Sequence, residues 1–283
     1  MKSAAIVTDT NSGITQEQAK RLGISLISMP FLIDGKQYME GKDCPAPEFF
    51  AKLEGGASVS TSQPSPGEIV RLWEKLLKKH EAVLHFPMSS ALSGSCQTAK
   101  ALAMDYPGRV FVVDNQRISV TLMQSILDAR KLLEEGKKAA EVQGILESER
   151  LDASIYIAVD TLEYLKKSGR VTAAAAAMAT VLNLKPVLQI QGGKLDAFKK
   201  ARGLKQAKDI MANAMMEDLA NRFAGREVAL FAAYSGLAEE GQEWLAEVQG
   251  MFPKYQVELY ALPISICCHV GAGARAIACA RVL

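Results

Sequence analysis

No Cys-x-x-Cys pair occurs among the five cysteines Cys44, Cys96, Cys267, Cys268 and Cys279. Adjacent Cys267 and Cys268 make a poor disulfide pair, and the one nearby histidine follows immediately, so reduced thiols are expected and a zinc site is not. No Gly-x-x-x-x-Gly-Lys-Ser/Thr segment is present, which argues against a self-contained P-loop. No Gly-x-Ser-x-Gly elbow is present, which weakens a serine-hydrolase reading. Gly271–Ala276 fits a dinucleotide pattern, but only ten residues follow Gly273. That is too few to complete a nucleotide-binding unit with a ribose-binding acid. Apolar runs long enough to span a membrane are missing, and Ala4–Val7 is too short for a signal peptide, so a soluble, cytoplasmic protein is expected. Charge of one sign is also missing. Lys plus Arg at 33 against Asp plus Glu at 31 gives +2, which argues against a general nucleic-acid binder while leaving room for a local basic patch.

The chain has 283 residues, 49% hydrophobic and 23% charged, enough for two compact domains or one large one. The first half alternates strands and helices. Ala4–Thr8, Ser25–Met29, Ala82–Met88 and Val110–Val113 read as strands. Thr15–Gly23, Glu68–Lys79, Ser95–Asp105 and Ser119–Glu135 read as helices, and a loop-rich insert carries a short helix around Pro47–Lys52. This rhythm predicts a Rossmann-like, three-layer domain with a parallel sheet over about residues 1–150. From Ser154 the rhythm changes. Helices at Leu162–Lys167 and Thr172–Leu182 precede Val187–Gln191 and Lys194–Lys199, which meet at Gly192-Gly193 as a hairpin. Leu204–Phe223 and Glu239–Met251 read as helices, Val228–Tyr234 and Gln256–Leu262 as strands. A second, two-layer α/β domain with a mixed, partly antiparallel sheet is predicted over 151–283.

The chemistry-bearing segments are two hydroxyl-rich turns, Ser60–Glu68 and Ser89–Ser95, each just before a helix and each without Lys or Arg. Such turns direct hydroxyls and backbone N–H groups at one point and suit an anion of low charge, a single carboxylate above all. Capping is the competing explanation. Ser65-Pro66-Gly67-Glu68 reads as a capping box with Pro at the first helical position, which accounts for Ser65 but not for Thr61 or Ser62. Ser93 could equally cap the helix that starts at Gly94. Asp9 and Asp114 end buried strands, where ligands of open α/β sheets collect, yet turn capping explains each as well. His80 reads as a surface residue and His85 as a packed one.

Near the C-terminus stands Ser265-Ile266-Cys267-Cys268-His269-Val270-Gly271-Ala272-Gly273. Together with Thr8-Asp9-Thr10, Thr61–Pro66, Ser89–Gly94, Val113-Asp114, Leu162–Arg170 and Lys185–Leu188, in that order along nearly the whole chain, it resembles the DegV family of bacterial fatty-acid-binding proteins. The resemblance implies a two-domain plan with the ligand at the junction. It implies a long-chain fatty acid with its carboxylate held by Thr61, Ser62, the Ser93-Gly94 turn and His269, where an imidazole N–H donates or an imidazolium adds charge. It implies a carrier rather than an enzyme, with no cofactor besides the bound lipid and no metal. The carrier would present the carboxylate to a separate ATP-dependent kinase and then hold the acyl phosphate. Arg170 and Arg202, which as charge clusters read simply as solvated faces, would by the same resemblance meet that kinase, with transient membrane contact. The chain departs from the family at Ala272, where Pro is usual, at Cys96, where an aromatic is usual, and at Asn115, Thr121 and Met123, where Ser and Gly are frequent and whose added bulk is expected to shorten or bend the acyl pocket. The rival reading is an acyl hydrolase or transferase using Ser93 with His269 as base.

Overall fold

A computed structural model of the protein describes residues 2–178 and 185–283. Strand β1 (Lys2–Asp9) is buried through Ala5–Val7 because both faces of a parallel strand are covered. A 3-10 turn (Thr10–Ser12) leads to α1 (Gln16–Leu22), where Thr15 and Gln18 form a reciprocal capping box. Strand β2 (Ser25–Ile27) then pairs parallel with β1.

The segment expected to be a loop-rich insert is a small antiparallel sheet. It consists of β3 (Pro30–Ile33), β4 (Lys36–Met39) and, after α2 (Ala46–Glu54), β5 (Val59–Thr61), in the order β4-β3-β5. Three- and four-residue strands are too short for a two-residue period to show, and what holds them is tertiary: Phe31 and Phe49 are wholly buried against each other. Ser60 and Thr61 therefore sit on a strand, and only from Ser62 onward is the segment a turn.

Helix α3 (Pro66–Leu77) buries Ile69, Trp73 and Leu77, one residue per turn along one face. Ser65 occupies its N-cap, but its hydroxyl makes no capping hydrogen bond. The expected box is not formed, and Pro66 with its fixed φ starts the helix instead. Strands β6 (His80–Phe86) and, after α4 (Ser95–Ala103), β7 (Val110–Val112) complete a parallel sheet in the order β2-β1-β6-β7. Helix α5 (Ser119–Glu134) packs against both this sheet and the next one, so most of its length is buried. Helix α6 (Ala139–Ser148) was not foreseen, although Val142, Ile145 and Leu146 stand at helical spacing.

The second sheet is mixed. Its elements are β8 (Ala153–Ala158), α7 (Glu163–Ser168), α8 (Ala173–Ala177), β9 (Lys185–Ile190) and β10 (Asp196–Ala201). After these come α9 (Leu204–Ala220), β11 (Val228–Tyr234), α10 (Ala238–Met251), β12 (Val257–Ala261), α11 (Ile264–Val270) and β13 (Arg275–Arg281). The strand order is β10-β9-β8-β13-β11-β12, and only β11 and β12 pair in parallel. Gly192 and Gly193, at φ 79° and 94°, turn the β9–β10 hairpin as expected. The distal part of the helix expected over Thr172–Leu182 lies outside the described residues.

Strand β13 was missed. It follows the rejected dinucleotide-like glycines and runs antiparallel between β8 and β11 at the centre of the sheet. Its Ala-Ile-Ala-Cys-Ala core shows no alternation because both faces are buried. One hydrophobic cluster joins the facing sides of the two sheets through α5, bringing Leu84 and Phe86 of the first together with Ile157 and Ala276 of the second.

Candidate functional site

The site begins at the C-terminal ends of the parallel strands. Buried Asp9 accepts hydrogen bonds from the N–H of Asn11 and of Met88, each at 3.0 Å, which ties the end of β1 to the segment after β6. Burial raises its pKa to about 6, against the lowering effect of those same hydrogen bonds. Asp114 accepts from Ser90 N at 3.3 Å and Lys100 Nζ at 3.0 Å. Burial pushes its carboxyl up, yet the hydrogen bonds from Lys100 and Ser90 leave it below the ordinary value. Both aspartates thus anchor turns, as the capping explanation held, and between them they fix the Ser89–Ser95 segment. Ser93 follows its competing reading in part: Gly94 is the N-cap of α4, and Ser93 Oγ accepts from Ser95 N at 3.2 Å.

His269 stands on the short helix α11. On α11, Ser265 and His269 stand one turn apart on one face. Ser265 Oγ lies 2.7 Å from Glu40 Oε2 and 2.9 Å from Asn11 Oδ1, and its single proton can serve only one of them at a time. Ser265 N also donates to Glu40 Oε1 at 3.1 Å, and Thr10 Oγ1 donates to Glu40 Oε2 at 2.6 Å. Burial raises the Glu40 pKa, and these donors oppose the rise. The buried carboxylate clamps α11 onto the first sheet and so aims His269.

His269 Nε2 lies 2.9 Å from Thr61 Oγ1. Burial, and secondarily the Arg170 guanidinium, pull the imidazole down to about 4. It is therefore neutral at neutral pH. The positive charge at the site comes from Arg170, a residue outside both hydroxyl-rich segments. After α11 the chain turns through Gly271 and Gly273, at φ 75° and 77°. A Cβ at Gly271 would stand 3.0 Å from the Tyr164 ring, and one at Gly273 would stand 2.7 Å from Asp160 Oδ2. Close approach and left-handed backbone both demand glycine there.

These segments enclose a cavity of about 310 Å³. Thr61, Ser62, Ser93, Gly94, His269 and Arg170 all line it, so the five residues expected at a carboxylate come together, and Arg170 joins them. Ser62 brings only its hydroxyl, since its N–H donates to Pro30 O at 3.2 Å. Arg202 lies elsewhere, exposed just past β10 with its N–H on Gln206 Oε1 at 2.5 Å. The neighbouring Lys199 and Lys200 belong to an edge strand, where lysines commonly guard against pairing. Sequence reasoning missed Asn11 and Gln63, which also line the cavity. Gln63 Oε1 accepts from Thr98 Oγ1 at 3.0 Å and links the first hydroxyl segment to α4.

Among the described residues the rest of the lining is apolar except for Ser265, with Met88, Leu92 and Leu165 among it. Ile118, Leu195, Ile266 and Val270 are shared with an annex of about 50 Å³, whose only polar lining residue among the described residues is Ser119. Cys96, Asn115, Thr121, Met123 and Ala272 line neither the cavity nor its annex, so the expected narrowing by these residues is not what shapes it. Among the described residues no group of three or more His, Cys, Asp or Glu could hold a metal ion, and no helix is long and apolar enough to cross a membrane. All five cysteines are buried and free.

A family model described as uncharacterised protein, DegV family, matches residues 3–282. A DegV domain-containing protein of Deinococcus radiodurans is 32% identical over 235 residues, covering 83% of each chain. A solved DegV family protein from Thermus thermophilus, characterised for fatty acid binding, is similar at 32% identity and a TM-score of 0.88, covering 99% of this chain and 100% of that one. A stearic acid-binding protein from Eubacterium ventriosum has the same fold, with a TM-score of 0.89 at 22% identity over 99% of this chain and 98% of its own.

Proposed function

Because this chain belongs to the DegV family, we propose that it binds a long-chain fatty acid, holding the tail in the apolar cavity and its annex and the carboxylate at Thr61, Ser62, Ser93, Gly94 and His269. The observation that carries this is the polarity gradient of one cavity: hydroxyls, an imidazole and a guanidinium at one end, and at the other an annex that, among the described residues, is aliphatic but for Ser119. The relative from Thermus thermophilus supports the ligand class. Burying a tail of ~16 carbons at about 0.8 kcal/mol per methylene gives roughly 12 kcal/mol before ordering costs, whereas each neutral hydrogen bond adds about 1 kcal/mol. The tail supplies affinity and the polar end supplies orientation.

In the same proposal the protein is a carrier. It presents the carboxylate to a separate ATP-dependent kinase, with Arg202 and the outer side of Arg170 on the docking face. The break between residues 1–150 and 151–283, with the ligand at the junction, belongs to this reading. It is supported by sheet membership: every strand of the parallel sheet ends by Val112 and every strand of the mixed sheet begins at or after Ala153. The hydrolase alternative is less well supported. His269 Nε2 meets Thr61 rather than Ser93, and among the described residues His269 Nδ1 has no partner to orient it as the third member of a triad would.

Thermal shift with palmitate, oleate and acetate tests the ligand class, since a ligand of the folded state alone raises Tm. Palmitate and oleate should raise Tm and acetate should not. Equal shifts from all three, or none, would refute the reading.

A further inference from the structure

The annex behind the fatty-acid cavity contains one group for which a plain hydrocarbon tail has no use. Part of its wall is the inner face of the mixed sheet, with Ile155 and Ile157 of β8 and Ala276 and Ala278 of β13. Another part is the start of α5, where Ser119 lines it. Ser119 is 5% exposed, and among the described residues its Oγ has no hydrogen-bond partner. This hydroxyl is not a helix cap, because Ile118 occupies the N-cap position and α5 has no side-chain cap. The first N–H groups of a helix lack intrahelical acceptors, so this end of α5 adds donors and the positive end of a dipole.

The backbone that sets Ser119 there is firmly held. Gln116 and Ser119 have left-handed φ values of 56° and 54°, which residues other than glycine keep only where their surroundings over-determine them. Buried Arg117, between them, supplies that constraint. Its Nη1 donates to Ser125 Oγ at 2.9 Å, and its Nη2 donates to the carbonyls of Glu149 at 2.7 Å and Asp152 at 3.2 Å. The Arg117 carbonyl in turn accepts from Ser89 N at 3.0 Å.

A buried hydroxyl without a partner is unfavourable unless a ligand completes it. A hydrocarbon cannot do so. A carboxylate suits the annex poorly, because among the described residues no cation lines it and the charge would be stripped of water. At about 50 Å³ the annex has room for a small neutral group. The partner that fits is an uncharged oxygen on the acyl chain itself. Resting on the fatty-acid reading, we infer that the annex recognises an acyl chain bearing a hydroxyl or keto oxygen away from its carboxylate, with Ser119 Oγ donating to that oxygen. Ser119 then determines specificity by binding alone, and no bond is made or broken.

Calorimetry on the full chain tests this with stearate and with stearates that carry one hydroxyl or keto group, moved stepwise from the second carbon to the chain end. An oxygen set unpaired among aliphatic side chains weakens binding about tenfold or more, so most positions should lose to stearate. The position that reaches Ser119 should bind at least as tightly as stearate. Its keto and hydroxyl forms should both do so, because the protein supplies the donor. Ser119→Ala should raise the ratio of that isomer's Kd to the Kd of stearate about tenfold. Ser119→Gly removes the same hydroxyl and suits the left-handed φ, so an equal rise there separates loss of the donor from misfolding of the alanine variant. If stearate itself does not bind, the fatty-acid reading has failed and the inference falls with it. If stearate binds and every oxygenated chain binds about tenfold more weakly or worse, the annex is simply apolar and the inference alone is overturned. If one isomer matches stearate but the ratio ignores both Ser119 variants, its oxygen lies elsewhere and the inference is again overturned.

Discussion

Thr61 Oγ1 and His269 Nε2 lie 2.9 Å apart although 208 positions separate them in the chain. They come from different halves of the protein. Thr61 ends an edge strand of the small antiparallel sheet, and His269 rides on a helix clamped through Ser265 to Glu40 of the first half. With Nε2 protonated the imidazole donates to Thr61, which frees the Thr61 hydroxyl proton for a ligand oxygen.

Removing either partner should weaken fatty-acid binding modestly. Thr61→Val or His269→Ala is expected to cost about 1–2 kcal/mol, because the tail still anchors the ligand. Calorimetric affinities for palmitate check this. Wild-type affinity in both variants would mean the carboxylate sits elsewhere.

Ser265, which lines the cavity, should matter most through Glu40. Ser265→Ala removes a hydroxyl donor from buried Glu40 and is expected to destabilise the fold by about 1–3 kcal/mol. Loosening α11 should also lower palmitate affinity, since His269 is aimed through this contact. Urea denaturation and calorimetry together give the answer, and a variant as stable as wild type would show that the clamp is not needed.

Buried histidines and buried carboxyls should pull stability in opposite directions as pH falls below 6.5. Buried His85 and His269 have pKa values of about 3 and about 4, below the ordinary 6.5. The unfolded chain therefore takes up these protons first. The stability from keeping the rings neutral is full above pH 6.5 and is lost as pH falls toward the folded-state values. Asp9 acts in the opposite sense: its pKa is raised from 3.8 to about 6, so its contribution is full below 3.8 and is lost as pH rises through 6. Glu40 and Asp128, whose pKa values burial also raises, act in the same sense as Asp9, while each histidine on its own removes roughly 1.4 kcal/mol per pH unit between about pH 6 and 4. His85→Leu should flatten this slope by about one proton in denaturation curves across that range. An unchanged slope would show that His85 titrates normally.

Arg170 and Arg202 should separate. Arg170→Glu places a like charge beside the carboxylate and should weaken fatty-acid binding at least tenfold, roughly 1.4 kcal/mol or more. Arg202→Glu should leave palmitate affinity near wild type and reduce only kinase-dependent acyl-phosphate formation. Normal turnover with Arg202→Glu would return Arg202 to the solvated surface.

Gly273→Ala should be costlier than Gly108→Ala. Both glycines have left-handed φ, 77° and 71°, but a Cβ at Gly273 meets Asp160 Oδ2 at 2.7 Å, whereas one at Gly108 meets nothing within 4 Å. The shared backbone strain is about 1–2 kcal/mol, and the excess at Gly273 measures the contact. Equal losses in thermal denaturation would mean that Asp160 simply moves aside.

By itself the sequence determined the local and repetitive features. The strand–helix rhythm of the first half, the Gly192-Gly193 hairpin and the amphipathic face of α3 are written in neighbouring residues, whose periodicity and turn chemistry act within a few positions. The family-like segments also carried the identities of Thr61, Ser93 and His269. Tertiary structure decided the rest, because its causes lie far apart in the chain. Strands of three residues in the small sheet exist only because Phe31 and Phe49 bury each other. Strand β13 is central only because β8 and β11 accept it on both edges, and a strand covered on both faces has no alternation to read. Ser65 stands where a cap belongs, yet a cap needs a hydrogen bond that local sequence cannot guarantee. The charge at the site was hidden for the same reason: Arg170 comes from a helix end with no local tie to the hydroxyl segments, and only the packing of α7 against α11 brings it beside His269.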